Sequence, residues 1–412
     1  MKSAWKLAAF LLAGVVVAAC SSGIDIAMAR SNVARASADP ASALTAAAAV
    51  NDFGFDLYRA VLAQDGSTNT VISPASVAMA MAMARVGARG DTATQMDAVL
   101  RQLGAPGHTE GINSLDQELT SRDQATLAIA NAPFAQQDEQ WQQPFLDTLA
   151  QDFGGGLRLV DYKTHPDGAR QLINRWVSDQ THERIPQLLD PGTINDLTRL
   201  VLVNAIYLKA AWQIPFPPEE TTPGGFTLAD DSSVQVPMMS VTDQFAYASG
   251  EGWQAVELPY VGGSLAMDIV VPDDLTAFTQ SLTADSFAQL TAALSTHDVA
   301  LTMPRFNAET KADLVDLLSA MGMPLAFEPG QADFSGMTAQ EPLFISGVIH
   351  QANITVGEKG TEAAAATAVE MEASLATEVV HVDANRPFLF ALRDTQTGAV
   401  LFMGQITDPS AG

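Results

Sequence analysis

Cysteine is almost absent from this 412-residue chain; there is one, Cys20. A single thiol excludes a disulfide framework, a Cys-based zinc site and an iron–sulfur cluster. Basic residues are scarce: 21 Lys and Arg stand against 47 Asp and Glu, a formal net charge of -26. Such a surface repels phosphate backbones and sulfated polysaccharides, so neither nucleic acid nor heparin is expected as a partner. Aromatic residues are 7% and hydrophobic residues 47% of the chain, which is globular composition and excludes a mainly disordered chain. Signatures of enzyme chemistry are missing too. None of the six histidines pairs with another at the i, i+4 spacing of a helical zinc site. His182-Glu183 has no second histidine and runs into Pro186. There is no G-x-S-x-G nucleophile elbow, and S-x-x-K occurs once, at Ser3 to Lys6. Gly154-Gly155-Gly156 leads into a strand-like Leu157–Val160, so no helix N-terminus follows to cradle a phosphate. The many carboxylates read as a solvated surface, and no catalytic residue, metal or cofactor is expected.

The amino terminus accounts for the cysteine. Lys2 and Lys6 precede the apolar run Ala8 to Ala19. The run is shorter than the roughly 20 residues of a spanning helix and has the build of a signal peptide. Val17-Ala18-Ala19-Cys20 resembles the bacterial lipobox, in which the cysteine thiol takes the lipid; a plain secretory signal with an incidental cysteine is the alternative. The lipobox reading predicts a leader over 1–19, a lipidated terminus and flexible tether over 20–44, and one domain over 45–412. It places the protein at a bacterial cell envelope, lipid-anchored through Cys20, or extracellular. Ser21 in place of an aspartate points to the outer membrane by the sorting pattern of Gram-negative bacteria.

Along the chain, Asp39-Pro40 is a helix start, with Asp as cap and Pro at the first helical position. Val50, Phe53, Leu57 and Val61 follow at helical spacing. Thr70-Val71-Ile72 reads as a short strand and Ser73-Pro74 as a new helix, broken by Gly87 and Gly90 before a helix over Asp91–Leu100. Strands are predicted at Thr126–Ala130, Leu200–Tyr207, Val234–Met239, Ala255–Leu258, Leu265–Val271, Val299–Met303 and Leu343–Ile349. Helical runs fall near 139–152, 168–180, 283–294 and 310–321. The interleaving is α+β with mostly antiparallel pairing, and no linker splits it.

Residues 358–372 stand apart. Four consecutive alanines suggest a surface helix on propensity. The alternation suggests a strand: Thr361, Ala363, Ala365, Thr367, Val369 and Met371 form one uncharged set, while Glu362, Glu370 and Glu372 fall in the other. The segment is small-sided outside a sheet and patterned to enter one.

Here the chain resembles the serpin (serine protease inhibitor) family, over about residues 45–409. Glu358-Lys359-Gly360-Thr361-Glu362-Ala363-Ala364-Ala365-Ala366-Thr367 looks like its reactive-loop hinge. Asn69 to Ser76, Leu200 to Lys209 with Trp212, Val236-Pro237-Met238-Met239, Glu257-Leu258-Pro259-Tyr260, His350-Gln351-Ala352, Ala384 to Phe390 and Phe402-Met403-Gly404 are similar landmarks in the family's order. The resemblance implies a serpin fold: three mainly antiparallel β-sheets, about eight or nine helices and an exposed reactive loop. It implies an inhibitor that is cleaved as a substrate and inserts the cut loop into its main sheet, trapping the acyl-enzyme; a non-inhibitory serpin-fold binding protein is the alternative, and a hydrolytic lipoprotein a remote one. Ser73, Ser76, Asn204 and His350 match the shutter beneath the central strands, His350 being structural there and not catalytic. Glu358 and Arg305 match positions that pair where the loop enters. Family spacing puts the reactive-site bond at Ser374–Leu375, with Ala373 and Leu375 as neighbouring candidates for the residue cleaved after. No Lys or Arg lies nearby, which excludes a trypsin-like target. Elastase-like, chymotrypsin-like or subtilisin-like serine proteases are the expected partners, with a glutamate-specific one a lesser candidate through Glu372. Residues 108–123 carry four acids and only Arg122 as a cation, so heparin activation is not expected. A monomer is expected.

Overall fold

The computed structural model describes residues 26–64, 66–122, 126–362 and 379–411. Local signals set the element ends. Asp39 Oδ2 accepts the Ser42 backbone N–H at 3.0 Å where Pro40 opens α1 (Pro40–Gln64). Ser73 Oγ accepts the Ser76 N–H at 3.3 Å and caps α2 (Pro74–Gly87). Seven more helices follow among the described residues: α3 (Gly90–Val99), α4 (Thr109–Thr120), α5 (Gln143–Phe153), α6 (Pro166–Gln180), α7 (Leu275–Ser281), α8 (Ala284–Ala292) and α9 (Val315–Met321).

The sheet that takes in the hinge residues has seven strands among the described residues. Their order is β1 (Met28–Ala29), β4 (Leu157–Val160), β3 (Thr126–Gln136), β5 (Leu200–Ala211), β13 (Gly360–Thr361), β12 (Gly347–Gly357) and β11 (Phe306–Asp313). The second runs β14 (Val380–Asp383), β10 (Ser295–Pro304), β7 (Ser233–Gly250), β8 (Trp253–Pro259), β9 (Leu265–Pro272), β15 (Phe388–Asp394), β16 (Val400–Ile406) and β2 (Thr70–Ile72), with β6 (Thr222–Thr227) beside β7. Of the three expected sheets, two are thus continuous through the 18-residue β7, which pairs β6 over Ser233–Met238, β10 over Met238–Tyr247 and β8 over Ala246–Gly250.

This seven-stranded sheet, the large sheet of the serpin resemblance, is covered on both faces at its centre. Along β5, Leu202, Ile206, Leu208 and Ala210 join the main core, while Val201, Val203 and Ala205 join a smaller cluster with Trp176 and Val177 of α6. Double coverage explains why β5 reads as a continuous apolar run rather than an alternating one. It also fixes which face each neighbour presents. Even-numbered residues of β5 and β12 point to the main core and odd-numbered ones toward α6.

Three sequence expectations are corrected. The helix expected over 310–321 begins only at Val315, because 306–313 is strand β11. That strand is the sheet's polar edge, with Glu309, Lys311 and Asp313 alternating outward, and charges that blunt an edge also hide its period. The strand expected over 343–349 begins at Gly347. The residues assigned to a tether are docked from 26 onward: Ile26 is buried, Met28–Ala29 pair with β4, and α1 starts at Pro40, where Asp39-Pro40 predicted it, inside the span 20–44 given to the tether. No apolar period marks 26–38 because little more than one side chain of the segment is buried.

Candidate functional site

The site lies between β5 and β12. Over Val201–Ile206 and Gly347–Ala352 these strands pair with each other in parallel. Higher up, β13 sits between them, antiparallel to both: Gly360 faces Ala211 and Gly357, and Thr361 faces Ala210 and Val356. The hinge residues therefore already occupy the top of the opening.

Their entry is held from several sides. Trp212 N–H donates to Lys359 O at 3.0 Å, Phe216 N–H to Glu358 O at 2.9 Å, and the Trp212 indole N–H to Gly357 O at 3.0 Å. Trp212 stacks on Tyr260 with ring centroids 4.4 Å apart. Tyr260 is buried, and its hydroxyl lies 2.6 Å from Thr361 Oγ1. Burial pushes the Tyr260 phenol up, so it stays a neutral hydroxyl. Arg305 Nε donates to Glu358 Oε1 at 2.7 Å and Thr221 Oγ1 donates to the same oxygen at 2.7 Å. Burial alone would raise the Glu358 carboxyl, but Arg305 and Thr221 outweigh it and hold it below its ordinary range. The Arg305–Glu358 pair suggested by sequence is thus formed.

Gly360 is required by space and by torsion. Its φ is 137°, and a Cβ there would stand 2.1 Å from Ala210 O. A side chain at this point would wedge β13 out of the sheet. Beyond it the alternation read from sequence holds for the two residues that show it. Thr361 is buried toward the core, and Glu362 points to the α6 side, where Arg184 pairs with it at 3.0 Å. Ala363, Ala364, Ala365, Ala366 and Thr367 of the hinge, and the Ser374–Leu375 bond, lie outside the described residues, as does Cys20.

Below β13 the four expected shutter residues converge. The Ser73 backbone N–H donates to His350 Nε2 at 3.3 Å, and His350 Nδ1 is hydrogen-bonded to Asn204 Oδ1. Since Nε2 accepts, the ring proton sits on Nδ1 and donates to the amide oxygen. Asn204 Nδ2 donates to Ser76 Oγ at 2.6 Å and to Asn131 Oδ1 at 2.7 Å. Ser76 Oγ donates to Asn131 Oδ1 at 2.8 Å, and Asn131 Nδ2 donates to Ser76 O at 3.0 Å. Burial holds the His350 pKa down to about 3, from an ordinary 6.5. A neutral histidine pins β12 to β5 and to the start of α2. Sequence reasoning missed Asn131. It lies opposite Asn204 on β3, one residue past the end predicted for that strand, and a polar residue inside an apolar strand was the available signal.

The family model described as Serpin (serine protease inhibitor) matches residues 48–409. The chain is 36% identical over 375 residues to plasminogen activator inhibitor 1 of Sus scrofa, covering 88% of this chain and 92% of that protein. It is 34% identical over 373 residues to the leukocyte elastase inhibitor of Xenopus tropicalis, covering 88% and 98%. Among solved structures, native protease nexin-1 with heparin superposes with a TM-score of 0.81 at 30% identity, over 90% of this chain and 100% of that one. Uncleaved ovalbumin gives 0.79 at 28% identity, over 88% and 99%. With Gly360 and Thr361 seated between β5 and β12, a histidine-centred latch where those strands pair below, and a family match over residues 48–409, this chain belongs to the serpin family.

Proposed function

We infer that the protein inhibits a serine protease by offering its loop as substrate and inserting the cut arm into the large sheet. One observation carries this reading: β13 is seated in a register that continues without conflict. Thr361 faces Val356 and Ala210; counting onward, position 367 falls opposite both His350 and Asn204, and position 370 opposite both Gly347 and Val201. The existing β5–β12 pairing has the same offset. Filling the gap needs the two strands to separate sideways and requires no sliding. One parallel ladder becomes two antiparallel ones, the slightly more stable kind per residue. Each new cross-strand pair adds a few tenths to 1 kcal/mol.

The chemistry belongs to the protease. Its serine oxygen attacks the Ser374 carbonyl, the bond to Leu375 breaks, and the new Leu375 amine takes the proton, leaving an ester at residue 374. Insertion through position 370 then carries that ester to the lower end of the sheet. Small residues at 373 and 374 suit the shallow pocket of an elastase-like enzyme, with chymotrypsin-like and subtilisin-like enzymes next through Leu375. The leukocyte elastase inhibitors among the relatives support the first. Anchoring through lipid on Cys20 at a bacterial envelope completes the reading. Heparin plays no part in it, since α4 carries Glu110, Asp116 and Glu118 and no cation.

Incubation with elastase, denaturing electrophoresis and sequencing of the released carboxy-terminal fragment test the reading. A denaturant-resistant complex and a fragment starting at Leu375 are expected. Cleavage without complex would mean a non-inhibitory member, and a fragment starting outside residues 372–377 would refute the placement of the bond.

A further inference from the structure

Residue registers connect the amino-terminal strand to the far end of the insertion path. Met28 lies opposite Arg158, Arg158 opposite Phe134, and Phe134 opposite Val201. Position 370 of an inserted loop also falls opposite Val201. The point where the chain enters the sheet and the point where the inserted arm ends are therefore level. They are separated only by the widths of β4, β3 and β5, four strand steps of about 4.8 Å or about 19 Å in all. The hinge at Gly360, by contrast, faces Ala211 at the opposite end of β5.

We propose that residues 26–38 form a releasable strap that turns the reactive-loop end away from a lipid bilayer and peels off when a protease is trapped. The inference rests on the inhibitory and lipid-anchored readings above. With the strap docked, only residues 21–25 separate an anchor at Cys20 from Ile26, a reach of about 20 Å at ~3.4 Å per residue. A protease domain of roughly 240 residues has a radius of gyration near 18 Å and is about 45 Å across. Esterified at residue 374, just past the sheet's lower end, it competes with the bilayer for the same space. Peeling the strap as far as Asp39 lengthens the tether to about 65 Å at the same rise and removes the conflict.

The strap is attached in a way that permits this. Leu159 N–H donates to Ala27 O at 2.8 Å and Ala36 N–H to Gln151 O at 2.8 Å. Ser31 Oγ donates to Asp147 Oδ1 at 2.5 Å, and Arg35 pairs with Asp116 at 2.5 Å and donates through Nε to Asn113 Oδ1 at 2.9 Å. The Arg35–Asp116 pair is exposed, the Ser31 and Arg35–Asn113 bonds are half-buried, Asn113 Nδ2 and Gln117 Nε2 each donate to Ala36 O at 3.0 Å, and Ile26 is the buried apolar side chain among residues 26–38. Segments with few buried apolar contacts open most easily.

A disulfide between Met28→Cys and Arg158→Cys, facing residues on paired strands, would staple the strap; such pairs have the Cα separation a disulfide needs. The full lipidated chain in phosphatidylcholine vesicles and a soluble chain starting at Ser21 are each mixed with elastase. Expected: the staple leaves trapping by the soluble chain unchanged, slows trapping by the vesicle-bound chain at least about tenfold, and reductant reverses the loss. In the unstapled vesicle complex the Leu159 and Ala36 amides should exchange faster than before trapping. Equal trapping by stapled and unstapled vesicle-bound protein, or unchanged exchange, overturns the strap. Failure of the soluble unstapled chain to trap overturns instead the inhibitory reading, and an unmodified Cys20 by mass spectrometry the anchor; the inference falls with either.

Discussion

At the scale of single residues, His350 shows how burial turns a titratable group into a fixed structural part. Its neutral ring accepts from Ser73 and donates to Asn204, and its pKa of about 3 lies below the ordinary 6.5. Between those two values the unfolded chain holds a proton that the folded one does not. Stability from this group is therefore complete above pH 6.5 and is lost as pH falls toward 3, at up to about 1.4 kcal/mol per pH unit. Replacing His350 by Gln should remove that dependence. The gap in urea midpoint between the parent and His350→Gln should be widest at pH 7 and narrow steadily to pH 4.5. A gap independent of pH would mean that the ring is not the proton-sensitive element. Protonation would place a donor against the Ser73 N–H, so the same acid range should loosen β12 from β5.

Strand by strand, the described start of the expected hinge follows the alternation read from sequence, because that alternation is independent of where the segment sits. Glycine, threonine, then small residues with charges confined to one parity describe a strand in waiting, and Thr361 and Glu362 take the two faces that parity assigns. The shutter residues were legible only through resemblance. Ser73, Ser76, Asn204 and His350 are distant in sequence, and registers three strands wide bring them together. Polar edge strand β11 and the docked strap were not legible, since neither buries enough apolar surface to leave a period. The same registers yield a prediction about position 367, which on insertion comes between Asn204 and His350 on the core side. A hydroxyl can accept from one partner and donate to the other, whereas a guanidinium there is an unpaired buried charge costing several kcal/mol. Thr367→Arg should raise the moles of inhibitor consumed per mole of elastase several-fold, with cleaved but uncomplexed product, while Thr367→Ser should stay near the parent ratio. Titration of residual elastase activity measures both; unchanged stoichiometry in Thr367→Arg would remove insertion past the shutter from the mechanism.

For the molecule as a whole, the intact fold keeps β5 and β12 in a parallel contact over Val201–Ile206 and Gly347–Ala352, which the cut arm would interrupt on the inhibitory reading proposed above. Nicking most proteins lowers their stability. Here a cut within residues 368–376 should raise it, because the freed arm can complete the sheet. Pairing of about a dozen residues at a few tenths to 1 kcal/mol each predicts a rise in melting temperature of about 5–15 degrees on calorimetry. An unchanged or lower melting temperature after nicking would identify a protein whose loop does not insert. The acidic surface, net charge -26, belongs to this scale as well, and a monomer that repels its own copies is the expected state in solution.

The stacking of Trp212 on Tyr260 has an optical consequence. The indole is buried, its N–H is bonded to the last carbonyl of β12, and its backbone N–H is bonded to Lys359 O at the head of the arm. On the insertion reading, the arm's passage parts β5 from β12 just below Trp212, one of five tryptophans in the chain, and changes the electric field around its indole. The protein thus carries its own emission probe at the entrance of the gap, and the arrival of the strand can be timed by stopped-flow fluorescence without a label.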